Sequence, residues 1–156
     1  MVKVFFAFLS LLFFSKNVMA QGTYTWLGGT SDFTLSANWS PNRGTLDNGD
    51  VLIFQSTGVQ SITNVPDQIV ATITVQSSAT ITLTPAGTNT LAVTSSLTIS
   101  SGCSLTISNN LTLANTGAIA VNGLLDFKGI NAVSPGGITV NNGGELKLKR
   151  LRTSGT

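Results

Sequence analysis

The sequence predicts an all-β protein: a single-stranded right-handed parallel β-helix (β-solenoid) with an N-terminal aromatic cap, preceded by a signal peptide. Three observations carry that expectation. The first is a phrase that recurs from Ile73 to Phe127: a branched apolar residue, usually a Thr or Ala, and a second branched apolar residue. Its copies are Ile73-Thr74-Val75, Ile81-Thr82-Leu83, Leu91-Ala92-Val93, Leu97-Thr98-Ile99, Leu105-Thr106-Ile107, Leu111-Thr112-Leu113, Ile119-Ala120-Val121 and Leu125-Asp126-Phe127. The second is period: side chains alternate between the faces of a strand, so each copy is a short strand with two inward apolar residues and one outward. The third is spacing. From Leu91 the copies begin at positions 91, 97, 105, 111, 119 and 125, a short step alternating with a longer one. That is the rhythm of a coil that turns at set intervals and hides its inward residues by stacking on the next coil.

Hairpins are the rival arrangement. Two-residue hairpin loops favour Asn-Gly or Asp-Gly, and among the connectors between Ile73 and Phe127 only Asn122-Gly123 fits. The other connectors, such as Ser100 to Ser104 and Ala114 to Ala118, are longer and irregular. Pairing start 91 with 111, 97 with 119 and 105 with 125 gives nearly equal intervals, so three strands per coil is the preferred phase. Two strands per coil, pairing 91 with 105 and 97 with 111, fits the same stretch. With three strands, about five coils spaced ~4.8 Å apart form a rod ~25 Å long.

Taken in order, residues 1–20 read as a secretory signal peptide: Lys3 gives a positive start, Val4 to Phe14 an apolar core, and Val18-Met19-Ala20 a small-residue cleavage site. Cleavage after Ala20 leaves Gln21 first and sends the chain outside the cell, secreted or at the outer cell surface, with no stable membrane insertion afterwards. A retained transmembrane anchor fits less well, because the run is short and Lys16-Asn17 interrupts it. Five of the eight Phe leave with the signal, as do Lys3 and Lys16. Six basic residues then balance six acids, so the precursor pI of about 9.0 says nothing of the mature chain, and a nucleic-acid partner loses its electrostatic support.

Residues 21–54 read as the N-terminal cap and first strand. They contain Tyr24-Thr25-Trp26-Leu27-Gly28-Gly29, Asp32-Phe33, Ala37-Asn38-Trp39-Ser40-Pro41 and Asp47-Asn48-Gly49-Asp50 leading into Val51 to Phe54. The order Trp-x-Gly-Gly, aromatic, Ala-Asn-Trp, Pro, Gly-Asp, alternating strand resembles the opening of large secreted or surface repeat proteins of Bacteroidota-type bacteria, similar to autotransporter-associated β-strand repeat proteins. That resemblance implies a surface β-helix. A first coil needs cover for its open backbone and apolar side chains, and Trp26, Phe33 and Trp39 suit that role. A sugar-stacking platform formed by Trp26 and Trp39 is the alternative. Asp47 and Asp50 flank a glycine turn with oxygens at short spacing, so they are the candidate ligands for calcium, although the twelve-residue loop with its terminal Glu is missing. Otherwise the chain implies no cofactor.

Residues 55–148 read as the β-solenoid repeats. Val65-Pro66-Asp67-Gln68-Ile69 turns into the ladder; Gly129 to Gly137 makes one excursion before Ile138-Thr139-Val140 and Leu146-Lys147-Leu148 resume the phrase. Residues 149–156 read as a disordered or truncated tail, with Lys147, Lys149, Arg150 and Arg152 clustered nearby.

The chemistry is thin. The sequence has no His, which removes the commonest general base and metal ligand together. Cys103, the only cysteine, is either a small residue at a turn or half of an intermolecular bridge. No Gly-x-Ser-x-Gly and no phosphate-cradling loop with Lys occurs. The acids Asp32, Asp47, Asp50, Asp67, Asp126 and Glu145 are scattered, and a three-strand coil stacks Asp126 on Lys147 as an exposed ion pair. Thr74, Thr82, Thr98, Thr106 and Thr112 sit mid-strand and face outward. They are candidate water-ordering residues resembling the ladders of ice-binding solenoids, or plain strand-favouring surface. The expectation is a non-enzymatic structural or adhesive surface module, the N-terminal part of a larger protein, with polysaccharide or a host or cell surface as partner. A carbohydrate-binding module, an ice-binding protein and a β-helix polysaccharide lyase or hydrolase are the alternatives.

Overall fold

Alternating apolar and short polar residues become strands in nearly every stretch of the computed structural model, which describes residues 21–129, 132–133 and 136–149. Fourteen strands follow one another: β1 (Thr23–Trp26), β2 (Trp39–Ser40), β3 (Val51–Phe54), β4 (Gly58–Val65), β5 (Gln68–Val75), β6 (Ala79–Pro85), β7 (Asn89–Ile99), β8 (Ser104–Ile107), β9 (Leu111–Asn115), β10 (Ala118–Val121), β11 (Leu124–Phe127), β12 (Ala132–Val133), β13 (Ile138–Val140) and β14 (Glu145–Leu148). A 3-10 turn at Ser36–Asn38 is the only helical element among the described residues. No helix there is long and apolar enough to cross a membrane. Residues 1–20 and 150–156, which hold the expected signal and nearly all of the tail, lie outside the described residues.

The strands stack in three parallel columns, and the chain visits each column once per coil. The first column is β1, β3, the second half of β5, the second half of β7, β10 and β13. The second is β4, β6, β8, β11 and β14. The third is the first half of β5, the first half of β7, β9 and β12. This is a β-solenoid of about four turns with three strands per coil, fewer turns than the five expected. The two-strand phase is excluded, because Leu97 stacks on Ile73 and Ile119. Asn122-Gly123 joins strands of different sheets, so it is a corner and closes no hairpin.

Inward burial follows the phrase. Ile73, Val75, Ile81, Leu83, Leu91, Val93, Leu97, Ile99, Leu105, Ile107, Leu111, Leu113, Ile119, Val121, Leu125 and Phe127 are all buried and form one cluster. One register differs from expectation: Leu91 pairs with Leu113, and Leu111 with Asn89. The cause is a longer β7, which enters its column two residues before the phrase begins. Coils are unequal in length: the stretch from Ile73 to its partner Leu97 is longer than the stretch from Ile119 to its partner Ile138. The corners absorb the difference. A Cβ on Gly123 would collide with the carbonyl oxygens of Ser100 and Cys103, so this tight corner requires glycine. Side-chain amides stack at the same corner of successive coils: Gln76 Nε2 donates to Gln55 Oε1 at 3.0 Å and Asn141 Nδ2 to Asn122 Oδ1 at 2.7 Å.

Because Ile107 is 1% exposed, replacing it with Asp buries an unpaired carboxylate and should destabilise the domain by about 3 kcal/mol or more. Thr82→Lys, at an outward position, should change stability by less than about 0.5 kcal/mol. Urea denaturation followed by circular dichroism checks both, and equal midpoints for Ile107→Asp and the parent would contradict the register.

Candidate functional site

The sequence-predicted residues occupy two kinds of place, the aromatic opening segment and the outward rows of the coils. In the opening segment, alternation of Thr23-Tyr24-Thr25-Trp26 makes β1 a true rung, parallel to β3 with Trp26 over Phe54. Strand β2 lies antiparallel on the other edge of β1. Trp39 thereby meets Trp26 edge-on at 5.0 Å between ring centroids, Phe33 at 5.1 Å and Phe54 at 5.7 Å. The Trp39 indole N–H donates to Phe33 O at 2.9 Å. Trp26 and Trp39 are each 1% exposed, so neither offers a ring face to a sugar, and the platform alternative is corrected by burial.

Between these rings lies a group that the sequence pattern does not mark. Arg43 and Asp50 are both buried, and Arg43 donates from Nε at 2.8 Å and Nη2 at 2.6 Å to Asp50 Oδ2. The guanidinium carbon also stands 5.3 Å from the Trp39 ring centroid, 5.4 Å from Phe33 and 5.5 Å from Tyr24. A weakly hydrated planar cation suits such a place, because ring faces and one carboxylate replace its water. This changes the reading of Asp47 and Asp50 as calcium ligands. Arg43 already neutralises Asp50, whose Oδ2 also receives the Asp47 backbone N–H at 3.3 Å. Among the described residues no three of His, Cys, Asp and Glu gather. An open hollow of about 330 Å³ lies beside the turn, lined by Leu46, Asp47, Asn48 and Gly49; Asp47 is the one charged side chain in that lining.

Asn38 pins the loop around this cluster, accepting from Thr30 N at 3.0 Å and donating to Asp32 O at 2.7 Å. Asp32 caps Thr34 and receives Asn64 Nδ2 at 3.0 Å. These donors, Thr34 foremost, hold the Asp32 carboxyl below its ordinary 3.8. The loop is thereby tied to β4, where Thr63 N donates to Ser31 O at 2.7 Å.

The outward Thr residues divide among three faces. Thr74 stacks on Thr98 in the first column, Thr82 on Thr106 in the second, and Thr112 on Thr90 in the third. No two of these pairs share a face, so the residues do not form one ladder. Thr98 is followed by Ala120 and Thr106 by Asp126. Asp126 does stack between Thr106 and Lys147, but the expected cross-coil ion pair is not formed. Lys128, two residues along on the same face of the chain, reaches Asp126 Oδ2 at 2.6 Å, and Lys147 pairs with Glu145 at 3.4 Å. Cys103 is buried, which disfavours the intermolecular-disulfide alternative because the thiol faces the core of the folded chain.

One signal for the buried ion pair is present in the sequence: a lone Arg in a segment otherwise free of cations, followed by an Asp that opens a strand. Comparison with protein-family models, with curated proteins and with solved structures gives no match. Replacing Arg43 with Met leaves Asp50 buried without its cation and should destabilise the fold by about 3–5 kcal/mol. Adding Asp50→Leu should recover a large part of that loss, because the orphaned charge is gone. A denaturant series on the two variants checks this; an Arg43→Met midpoint equal to the parent's would contradict it.

Proposed function

We propose that this chain is a non-enzymatic structural or adhesive module, secreted or held at the outer cell surface, and the N-terminal part of a larger surface protein. The observation that carries the reading is how the coils distribute their residues. The inward residues of the repeated phrase from Ile73 to Phe127 are apolar and buried, while the outward mid-strand positions of the first column are Thr25, Ile53, Thr74, Thr98, Ala120 and Thr139, without one ionisable group. Such a surface suits spacing and adhesion. Acid–base chemistry needs titratable groups that converge, and here Asp50 is matched by Arg43, Asp126 by Lys128 and Glu145 by Lys147.

In this reading Trp26, Phe33 and Trp39, with the Arg43–Asp50 pair, act as a cap that closes the first coil against water. The coil runs right-handed, as parallel strands joined by crossovers almost always do. Residues 1–20 direct export, and polysaccharide or another cell's surface is the partner of the outward faces.

Exported protein should therefore begin at Gln21 by mass spectrometry, and it should release no product from a panel of neutral and uronic-acid polysaccharides, with or without calcium. An intact Met1 in exported material would remove the export claim. Reproducible release of reducing ends or unsaturated sugars, abolished by Asp126→Asn, would replace the module with an enzyme.

A further inference from the structure

Removal of residues 1–20 makes one group that the precursor lacks. In the precursor the backbone nitrogen of Gln21 is a neutral amide, and cleavage after Ala20 turns it into an ammonium at the head of the first coil. The structure fixes where that head lies. Gly22 O accepts the Val51 N–H at 2.8 Å, and a side chain at Gly22 would run into the Tyr24 ring, so the chain enters β1 pressed against its neighbours. One residue earlier, the Gln21 side chain lies along the turn that leads into β3: a Cβ on Gly49 would stand 3.5 Å from its Cβ and Cγ. Asp50 N closes that turn by donating to Asp47 O at 3.2 Å, which brings Asp47 close to the same contact.

Asp47 is also the one acid left over. Asp32 accepts from Thr34 and Asn64, Asp50 from Arg43, Asp67 from the Thr90 N–H and Asp126 from Lys128, while Glu145 pairs with Lys147. Among the described residues the Asp47 carboxylate receives no hydrogen bond and no cation; only its backbone N–H is engaged, by Asp50. It is half-buried and borders the open hollow beside the turn, which leaves room for a small cation.

We propose that the new ammonium of Gln21 pairs with Asp47, a latch that only the processed chain can close, and that this pairing protects Gln21 from cyclising to pyroglutamate. The inference rests on the export reading above. In the cyclisation the α-nitrogen attacks the side-chain Cδ with its lone pair; the N–Cδ bond forms, the Cδ–Nε2 bond breaks, and ammonia leaves with the proton that the attacking nitrogen gives up. An ammonium has no lone pair to offer, and an opposite charge beside it favours the charged form. The contact with Gly49 acts in the same direction, because the side chain must leave the turn to reach its own α-nitrogen.

The rate of ammonia loss, read by intact mass at neutral pH on a chain cut to begin at Gln21 by a site-specific protease, tests this. The folded parent should cyclise more slowly than the same chain in urea. Folded Asp47→Asn should cyclise about threefold faster than the folded parent, and the two should be equal in urea. High salt should speed the folded parent toward the variant's rate by screening the pair, a readout that stands even if the variant loses its fold. An exported chain that starts at a residue other than Gln21 overturns the export reading and the latch with it. Export from Gln21 with equal folded rates for parent and variant overturns the latch alone. So does a gap that persists in urea, or a slower Asp47→Asn, which would make the carboxylate a catalyst of ring closure.

Discussion

Every coil depends on the coil beneath it, because two inward residues per strand cannot escape water within a single turn of chain. Ile73 is covered by Leu97, Leu97 by Ile119, and Leu83 by Ile107, and the backbone ladder that stacks the coils also places these side chains. Burial and hydrogen bonding therefore fail or succeed together. A coil with the right side chains but no neighbour exposes both its apolar row and its peptide groups. Corners are looser in length, as the unequal stretches from Ile73 to Leu97 and from Ile119 to Ile138 show, because only their stacking points are constrained. The glycine at 123 and the amide pairs Gln55–Gln76 and Asn122–Asn141 mark those points.

That dependence makes the first coil a special problem, and beside it the opening segment gathers aromatic side chains and one buried ion pair. Trp26 belongs to a rung, Trp39 to the strand that covers it, and Phe33 to the loop that reaches β4. Arg43 holds the three parts at once, bonded to Asp50 at the mouth of β3 and ringed by Tyr24, Phe33 and Trp39. A buried pair is weak evidence for net stability, since apolar residues of the same shape can do as well. Its effect here is geometric: Nε and Nη2 held on one carboxylate oxygen and a flat cationic face among three rings position a loop that has little regular structure of its own.

How much is legible in the sequence follows from the range of each interaction. The inward residues from Ile73 to Phe127 can be read because alternation is local, and the three-strand phase because spacing is nearly local. The partner of Leu91 cannot, since it depends on where β7 begins, two residues before any apolar signal. The strand at Thr23–Trp26 is hidden because its alternation spans only four residues, two of them aromatic. Arg43 is only faintly legible as a site: it is a lone cation ahead of an Asp that opens a strand, but its burial depends on the folded loop that brings Asp50 and three rings around it. The Thr positions do face outward, but which face each occupies is a property of the coil count. Asp126 lies on the expected rung with a different partner, because Lys128, just past the end of its strand, is the closer cation.

The three-column solenoid rests on one register, in which Thr98 lies beside Ala120 and Thr112 beside Thr90. Disulfide trapping measures it directly, since a bridge needs Cα atoms within about 4.4–6.8 Å. With Cys103 replaced by Ser, the Thr98→Cys/Ala120→Cys chain should close an internal disulfide under mild oxidation, and the Thr98→Cys/Thr112→Cys chain should stay reduced. Bridging of 98 to 112 without bridging of 98 to 120 would mean a coil of two strands, and the three-column solenoid described above would be wrong.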